Sequence, residues 1–154
     1  MTGVDFAGVA LARAAQLAGQ AALAPRVTWV QADVSDSGTW GASIDLVVVA
    51  YLHQVSTERR SVLRAAAQVL APLGTLLVIA HDLSNLAEGI GGPQDPTVLF
   101  TPQDVVDDLA DMSGLLVLRA ERVSRSVLAP DGPRVAYDVL VLVLVLALVR
   151  VLRE

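Results

Sequence analysis

The apolar residues of this chain fall in continuous runs more often than in alternation. Ile44-Asp45-Leu46-Val47-Val48-Val49-Ala50 is apolar at all but one position, and Thr75 to Ala80 repeats the pattern. Runs of this length read as strands buried on both faces, the kind found in parallel sheets covered by helices. Gly3-Val4-Asp5 and Val27 to Gln31-Ala32 are shorter stretches of the same character. Between the runs the period changes. Leu11, Ala14, Ala15 and Ala18 recur at helical spacing within residues 9–23, with Pro25 just beyond. Val62, Leu63, Ala66, Ala67 and Leu70 do the same in a helix that Ser56 and Thr57 can cap, and Pro72-Leu73-Gly74 predicts a turn.

The second half continues the alternation of element types. Residues 81–100 are polar, contain Gly89, Gly91, Gly92, Pro93 and Pro96, and predict a long loop of the kind used for lids or binding. Thr101-Pro102-Gln103-Asp104 marks a helix start and Gly114 a stop. Leu115 to Val123 reads as a strand, and Ala129-Pro130-Asp131-Gly132-Pro133 as a turn. The chain closes on Arg134 to Leu152, with eleven consecutive apolar residues from Val139 to Val149. That run is too short for a bilayer span, which needs roughly 20 residues, and its Val/Leu content favours a strand. Strands are therefore expected near 3–5, 27–32, 45–50, 75–80, 115–123 and 135–150. The first four should be parallel and the last antiparallel to its neighbours. Alternation of strand and helix implies an α/β fold in a single domain, 1–154.

Composition narrows the function classes. The chain has 154 residues, 54% of them hydrophobic, and a net charge of -5 without a basic run. Nucleic acid is an unexpected main partner for such a surface, and no membrane partner is expected. With no Cys and two His, thiolate metal sites and disulfides are excluded and no metal site is expected. A cytoplasmic protein is the default reading.

The polar residues gather where strands end. Asp5, Asp33, and Tyr51 with His53 each follow an apolar run, and open α/β sheets bind ligands at the carboxyl ends of their strands. A carboxylate at the position of Asp5 can accept hydrogen bonds from a ribose diol, and one at Asp33 can accept from an exocyclic amine such as that of adenine. Each acid alone also suits a purely local role, Asp5 as a helix cap and Asp33 in a turn. His53 is the nearest candidate base, and His81, with Asp82 beside it, is the second. Asn85 and Glu88 could line an acceptor pocket from the long loop.

Gly3-Val4-Asp5-Phe6, Val27 to Asp33, Ile44-Asp45-Leu46-Val47-Val48 and Leu70-Ala71-Pro72-Leu73-Gly74-Thr75-Leu76-Leu77-Val78, taken in order, resemble successive motifs of the class I S-adenosylmethionine-dependent methyltransferases. The resemblance covers roughly residues 2–125. It implies a Rossmann-like, mostly parallel sheet with a C-terminal antiparallel hairpin. It also implies S-adenosylmethionine as cofactor, with Asp5 and Phe6 at the ribose, Asp33 and Val34 at the adenine, and Ala50 and Tyr51 bordering the cofactor. The implied activity is methyl transfer to a small-molecule acceptor, with His53 and His81 as the catalytic candidates and self-association as a further possibility. Two departures stand out. The family's first, central strand and its glycine-rich loop belong on the N-terminal side of Asp5, where this sequence has four residues, so the domain reads as N-terminally incomplete. Leu73 also occupies a position where the family usually has a second Gly. The alternative reading is an inactive or truncated remnant of the fold that acts only through self-association or partner binding. A nucleotide-binding oxidoreductase is weaker, since its glycine motif is absent too.

Overall fold

Two short parallel strands open the chain, β1 (Thr2–Asp5) and β2 (Thr28–Gln31), in register from Thr2↔Thr28 to Asp5↔Gln31. The computed structural model describes residues 1–36, 41, 43–130 and 132–146, and the chain divides into two compact units, Met1–Gly41 and Ala42–Glu154. In the first unit, α1 (Gly8–Gln20) joins the two strands. Its Ala-rich sequence favours helix, but it ends earlier than the pattern to residue 23 predicts. Ala22 turns left-handed, at φ 56°, while the amides of Ala22 and Leu23 bond back to Gly19 and Ala18. This arrangement uses up the last helical carbonyls and stops the helix.

The second unit holds β3 (Ile44–Ala50), α2 (Ser56–Gln68), β4 (Leu70–His81), the single turn α3 (Asn85–Glu88), α4 (Pro102–Leu109), β5 (Leu115–Ala129) and β6 (Gly132–Val145). Its strands lie in the order β3-β4-β6-β5. β3 and β4 are parallel, whereas β6 is antiparallel to both β4 and β5. The mostly parallel Rossmann-like sheet expected from the sequence is therefore corrected: this sheet is mixed and mostly antiparallel. A short connection between β5 and β6 permits only antiparallel pairing, and β6 then lies against β4 for seven residue pairs, Thr75↔Leu144 to His81↔Asp138. The other parallel pair, β1 and β2, forms a two-stranded sheet of its own.

Alternate positions of this sheet form the core. Val47 and Val49 of β3, Leu76, Val78 and Ala80 of β4, and Val139, Val141 and Val143 of β6 are buried, as are Val62, Leu63, Ala66 and Ala67 of α2 and Val105 and Leu109 of α4. The strict alternation is the pleat expressed as burial. It corrects the reading of β3 as buried on both faces, since Leu46 and Val48 are 55% and 50% exposed. The apolar C-terminal run is a strand as far as Val145, and its positions 147–149 lie outside the described residues. Among the described residues no helix is long and apolar enough to cross a membrane.

Element ends differ from the sequence pattern for identifiable reasons. Ser56 and Thr57 lie inside α2 rather than capping it, because Val55 is the N-cap and brings no side-chain cap. At α4 the expected signal holds. Thr101 and Asp104 form a reciprocal capping box on either side of Pro102. The helix ends at Leu109, short of Gly114, as the amides of Ala110 and Met112 tighten onto Asp107 and Leu109. The packing of α4 on α2 centres on Asp108, whose carboxylate meets Arg59 Nε at 2.7 Å and Arg60 Nε at 3.1 Å, while its carbonyl accepts from Arg64 Nε at 3.0 Å.

Pro72-Leu73-Gly74 is not a turn between elements but a bulge within β4. A step of two residues in β3, Ile44 to Leu46, is matched by a step of five in β4, Leu70 to Thr75. An added Cβ at Gly74 would lie 2.7 Å from the Ala71 carbonyl oxygen and 2.8 Å from that of Ile44, so only glycine fits. Leu73 sits at φ 66° with its side chain 65% exposed. A left-handed leucine costs about 1–2 kcal/mol, and this one gains little packing in return. Leu73→Gly, partly offset by glycine's greater unfolded-state freedom of roughly 0.5–1 kcal/mol, should therefore raise stability by up to about 1 kcal/mol, read as a higher denaturation midpoint with an unchanged slope.

Candidate functional site

The acids of the first unit follow neighbouring parallel strands and so share one edge of their sheet. Asp5 is half-buried. Its Oδ1 accepts from the Ala7 amide at 2.7 Å, and among the described residues no donor meets Oδ2. That leaves a fixed carboxylate with an oxygen to offer, which fits a ribose hydroxyl. Phe6 beside it is 74% exposed. Asp33 is exposed and accepts from both the amide and the hydroxyl of Ser35. Those two bonds, outweighing a small desolvation effect, hold its carboxyl below the usual carboxylate range. Val34, half-buried, lies in the turn between them.

A second cluster forms in the other unit, at the carboxyl ends of β3 and β4. Ala50 ends β3 opposite Ile79. Tyr51 follows at φ 53°, a conformation sparsely used by residues other than glycine and often kept at functional sites. The turn sends its phenol towards β6, where the hydroxyl donates to Asp138 Oδ2 at 3.1 Å. Burial, and then the charge of Asp138, push the Tyr51 pKa up, so the phenol stays protonated. Arg125 on β5 donates from Nε to the same Oδ2 at 2.6 Å and lies 5.9 Å over the Tyr51 ring. Its hydrogen bond to Asp138 raises its already high pKa.

His81, the last residue of β4, is Asp138's partner across the antiparallel pair. Its Nδ1 lies 3.2 Å from Asp138 Oδ1, but ring and carboxylate are turned out of line, so the contact is electrostatic rather than a formed hydrogen bond. The His53 ring stacks on His81 at 5.3 Å, and its Nε2 accepts from the His81 amide at 3.4 Å. Burial, and next the nearby His81, hold the His53 pKa below its ordinary value, which keeps the ring neutral near pH 7.

Tyr51, His53 and His81 are thus brought together as three aromatic rings around one buried carboxylate. Asp82 does not face His81; its Oδ1 accepts from Ser84 N and Oγ. Asn85 is a staple rather than a lining residue. Its Nδ2 donates to the carbonyls of Ile90 and Gly91, and its Oδ1 accepts from the Tyr137 amide. Glu88 pairs with Arg122 at the surface. Two members of the cluster, Asp138 and Arg125, escape a reading of strand ends because both lie inside the final hairpin. The available signal was Asp138 itself, a lone acid at the head of eleven apolar residues. Among the described residues no group of His, Asp and Glu side chains could hold a metal ion.

Residues 1–74 match the model of a family described as a methyltransferase domain. No curated protein matches the sequence. Among solved structures, the chain is similar to a protein studied for the conversion of a disulfide bond into a thioacetal group during echinomycin biosynthesis, at TM-score 0.72 and 16% identity, over 94% of this chain and 66% of that one. It is also similar to the N-methyltransferase NodS from Bradyrhizobium japonicum WM9, at TM-score 0.63 and 21% identity, over 95% and 73% of the two chains. A third likeness is to a SAM-dependent methyltransferase from Methanosarcina mazei, at TM-score 0.64 and 14% identity, over 94% and 81%. The chain thus spans between 66% and 81% of the lengths of these three structures. It has the class I S-adenosylmethionine-dependent methyltransferase fold.

Proposed function

We propose that this chain, read as one methyltransferase-like domain over residues 1–154, transfers a methyl group from S-adenosylmethionine to a small-molecule acceptor. The observation that carries the reading is the match of residues 1–74 to a methyltransferase domain, within a chain that aligns over 94–95% of its length with the methyltransferase structures above. S-adenosylmethionine supplies an electrophilic methyl group on a sulfonium. The chain's own residues supply binding and positioning, which account for much of the rate of an in-line displacement. Within the first unit, Asp5, whose Oδ2 meets no donor among the described residues, is the candidate for the ribose beside Phe6, and Asp33 and Val34 are the candidates for the adenine. Within the second unit, Ala50 and Tyr51 at the end of β3 are taken, from the family resemblance, as cofactor-bordering residues. His53 and His81 are the groups available to take a proton from an acceptor that must lose one. The acidic chain and its compact aromatic cluster suit a small molecule better than nucleic acid. Self-association remains part of the reading, with the apolar face that exposes Leu46 and Val48 as the surface to cover.

The test is transfer of isotope-labelled methyl from S-adenosylmethionine to a panel of small hydroxyl, amine and thiol compounds. Labelled product that depends on the protein supports the reading. A chain that binds S-adenosylmethionine but labels none of the three classes would instead favour the inactive remnant.

A further inference from the structure

β4 ends at His81, opposite Asp138, whereas β6 begins at Gly132. The first residues of β6 therefore have β5 on one side and, among the described residues, no strand on the other. Backbone groups on such an edge need partners, and the segment after β4 supplies them. The Asp82 amide donates to the Tyr137 carbonyl at 3.0 Å, and the Ile90 amide donates to the Val135 carbonyl at 3.1 Å. Between them the Tyr137 amide donates to Asn85 Oδ1 at 3.1 Å. The Asn85 side chain, 4% exposed, thus stands where a strand's carbonyl would. Its Nδ2 donates onward to the carbonyls of Gly91 at 2.8 Å and Ile90 at 3.3 Å. One buried amide ties the residues that follow to the sheet.

Those residues, 89–94, form a strap with firm ends and a light middle. At one end Asp82 bridges to Phe100, and at the other Leu99 and Phe100 are buried. In the middle Gly91 and Gly92 are both left-handed, at φ 83° and 79°, where glycine alone is at ease. The Gln94 side chain bonds to the Gly92 and Pro93 carbonyls of the strap itself. Gly92 lies against the His81 ring, since an added Cβ would sit 2.6 Å from Cδ2 and 2.7 Å from Cγ. The His81 side chain is 13% exposed, and its other face stacks on His53. The strap as it lies thus excludes a ligand from the stacked rings. A segment held by so few hydrogen bonds opens at less cost than the sheet it rests on. We propose that residues 89–94 are a strap latched over the His53–His81 stack by Asn85, and that releasing this latch lifts the strap and opens the stack to a small molecule. The methyl-transfer reading makes that molecule the acceptor, and only this last point rests on it.

Hydrogen exchange of the full chain, followed by NMR, reads the opening. In the wild type the Ile90 amide should exchange about 100-fold faster, or more, than the Val141 amide at the centre of the sheet, after correction for intrinsic rates. Equal protection at the two would mean that the strap comes away only when the whole sheet unfolds, and would overturn the proposal without any variant. Asn85→Ala removes the latch, and Gly92→Ala sets a methyl group against the His81 ring. Each should raise the ratio of Ile90 to Val141 exchange by about tenfold. Each should also speed the modification of His81 by diethyl pyrocarbonate, located by mass spectrometry, to a similar degree. Variants that speed both amides equally, or that leave His81 modification at the wild-type rate, overturn the proposal. Neither readout involves S-adenosylmethionine. A strap that fails these tests leaves the methyl-transfer reading standing, and a chain that transfers no methyl group loses that reading while the strap is judged on exchange and modification alone.

Discussion

Asp108→Ala should cost about 3–5 kcal/mol, the range for removing one partner of a buried ion pair. Asp108 and Arg59 are 3% and 9% exposed at their side chains, and Arg59 lies 4.8 Å over the Phe100 ring. Without the carboxylate, the buried Arg59 guanidinium loses its hydrogen-bonded partner and keeps only the electrostatic attraction of Asp104. Arg60, 55% exposed, simply swings out. The loss falls on the packing of α2 against α4. Since a domain is stable by only about 5–15 kcal/mol, a denaturant titration should show a large fall in midpoint. Asp111→Ala, which removes the exposed partner of Arg64, should leave the midpoint nearly unchanged, since a solvent-screened pair contributes little.

Val141→Asp should abolish cooperative folding. Val141 is fully buried on β6, between Val78 of β4 and Ala120 of β5. A carboxylate there has no partner and no route to solvent, and the penalty of several kcal/mol is comparable to the whole stability of the domain. Val135 lies on the same strand but is 44% exposed. Val135→Asp should cost about 1 kcal/mol or less, the span of strand preferences at such sites. Circular dichroism melts of the two variants distinguish a central buried strand from an apolar tail that merely covers the surface. Equal tolerance of both substitutions would contradict the placement of β6.

Much of this was legible along the chain, and the failures have physical causes. Every expected strand is present, because runs such as Leu76–Ala80 and Val139–Val145 bury alternate residues that only an extended chain can present to one core. What a run of apolar residues does not encode is how many of its faces are covered: Leu46 and Val48 are as apolar as Val47 and Val49 but stay exposed. Nor does it encode which strands share a sheet: β1 and β2 pair on their own, which leaves β3–β4 as the one parallel pair of the main sheet beside the antiparallel hairpin that was expected. Asp5, Asp33, Tyr51, His53 and His81 were visible because they end strands. Asp138 and Arg125 were not, because a pairing register no local pattern specifies brings them to His81 and Tyr51. Leu73 stood out in the sequence only as a departure from the family's usual Gly; its left-handed backbone, at φ 66°, is seen in the structure.

Calorimetric titration of S-adenosylmethionine into the full chain and into Asp5→Ala tests most directly whether this methyltransferase fold holds that compound. Saturable binding by the wild type is expected. Loss of the Asp5 carboxylate should weaken it by about 1–3 kcal/mol, the range for hydrogen bonds to a charged group, or roughly 5-fold to 150-fold in Kd. No binding by the wild type, or equal binding by the two proteins, would contradict the account.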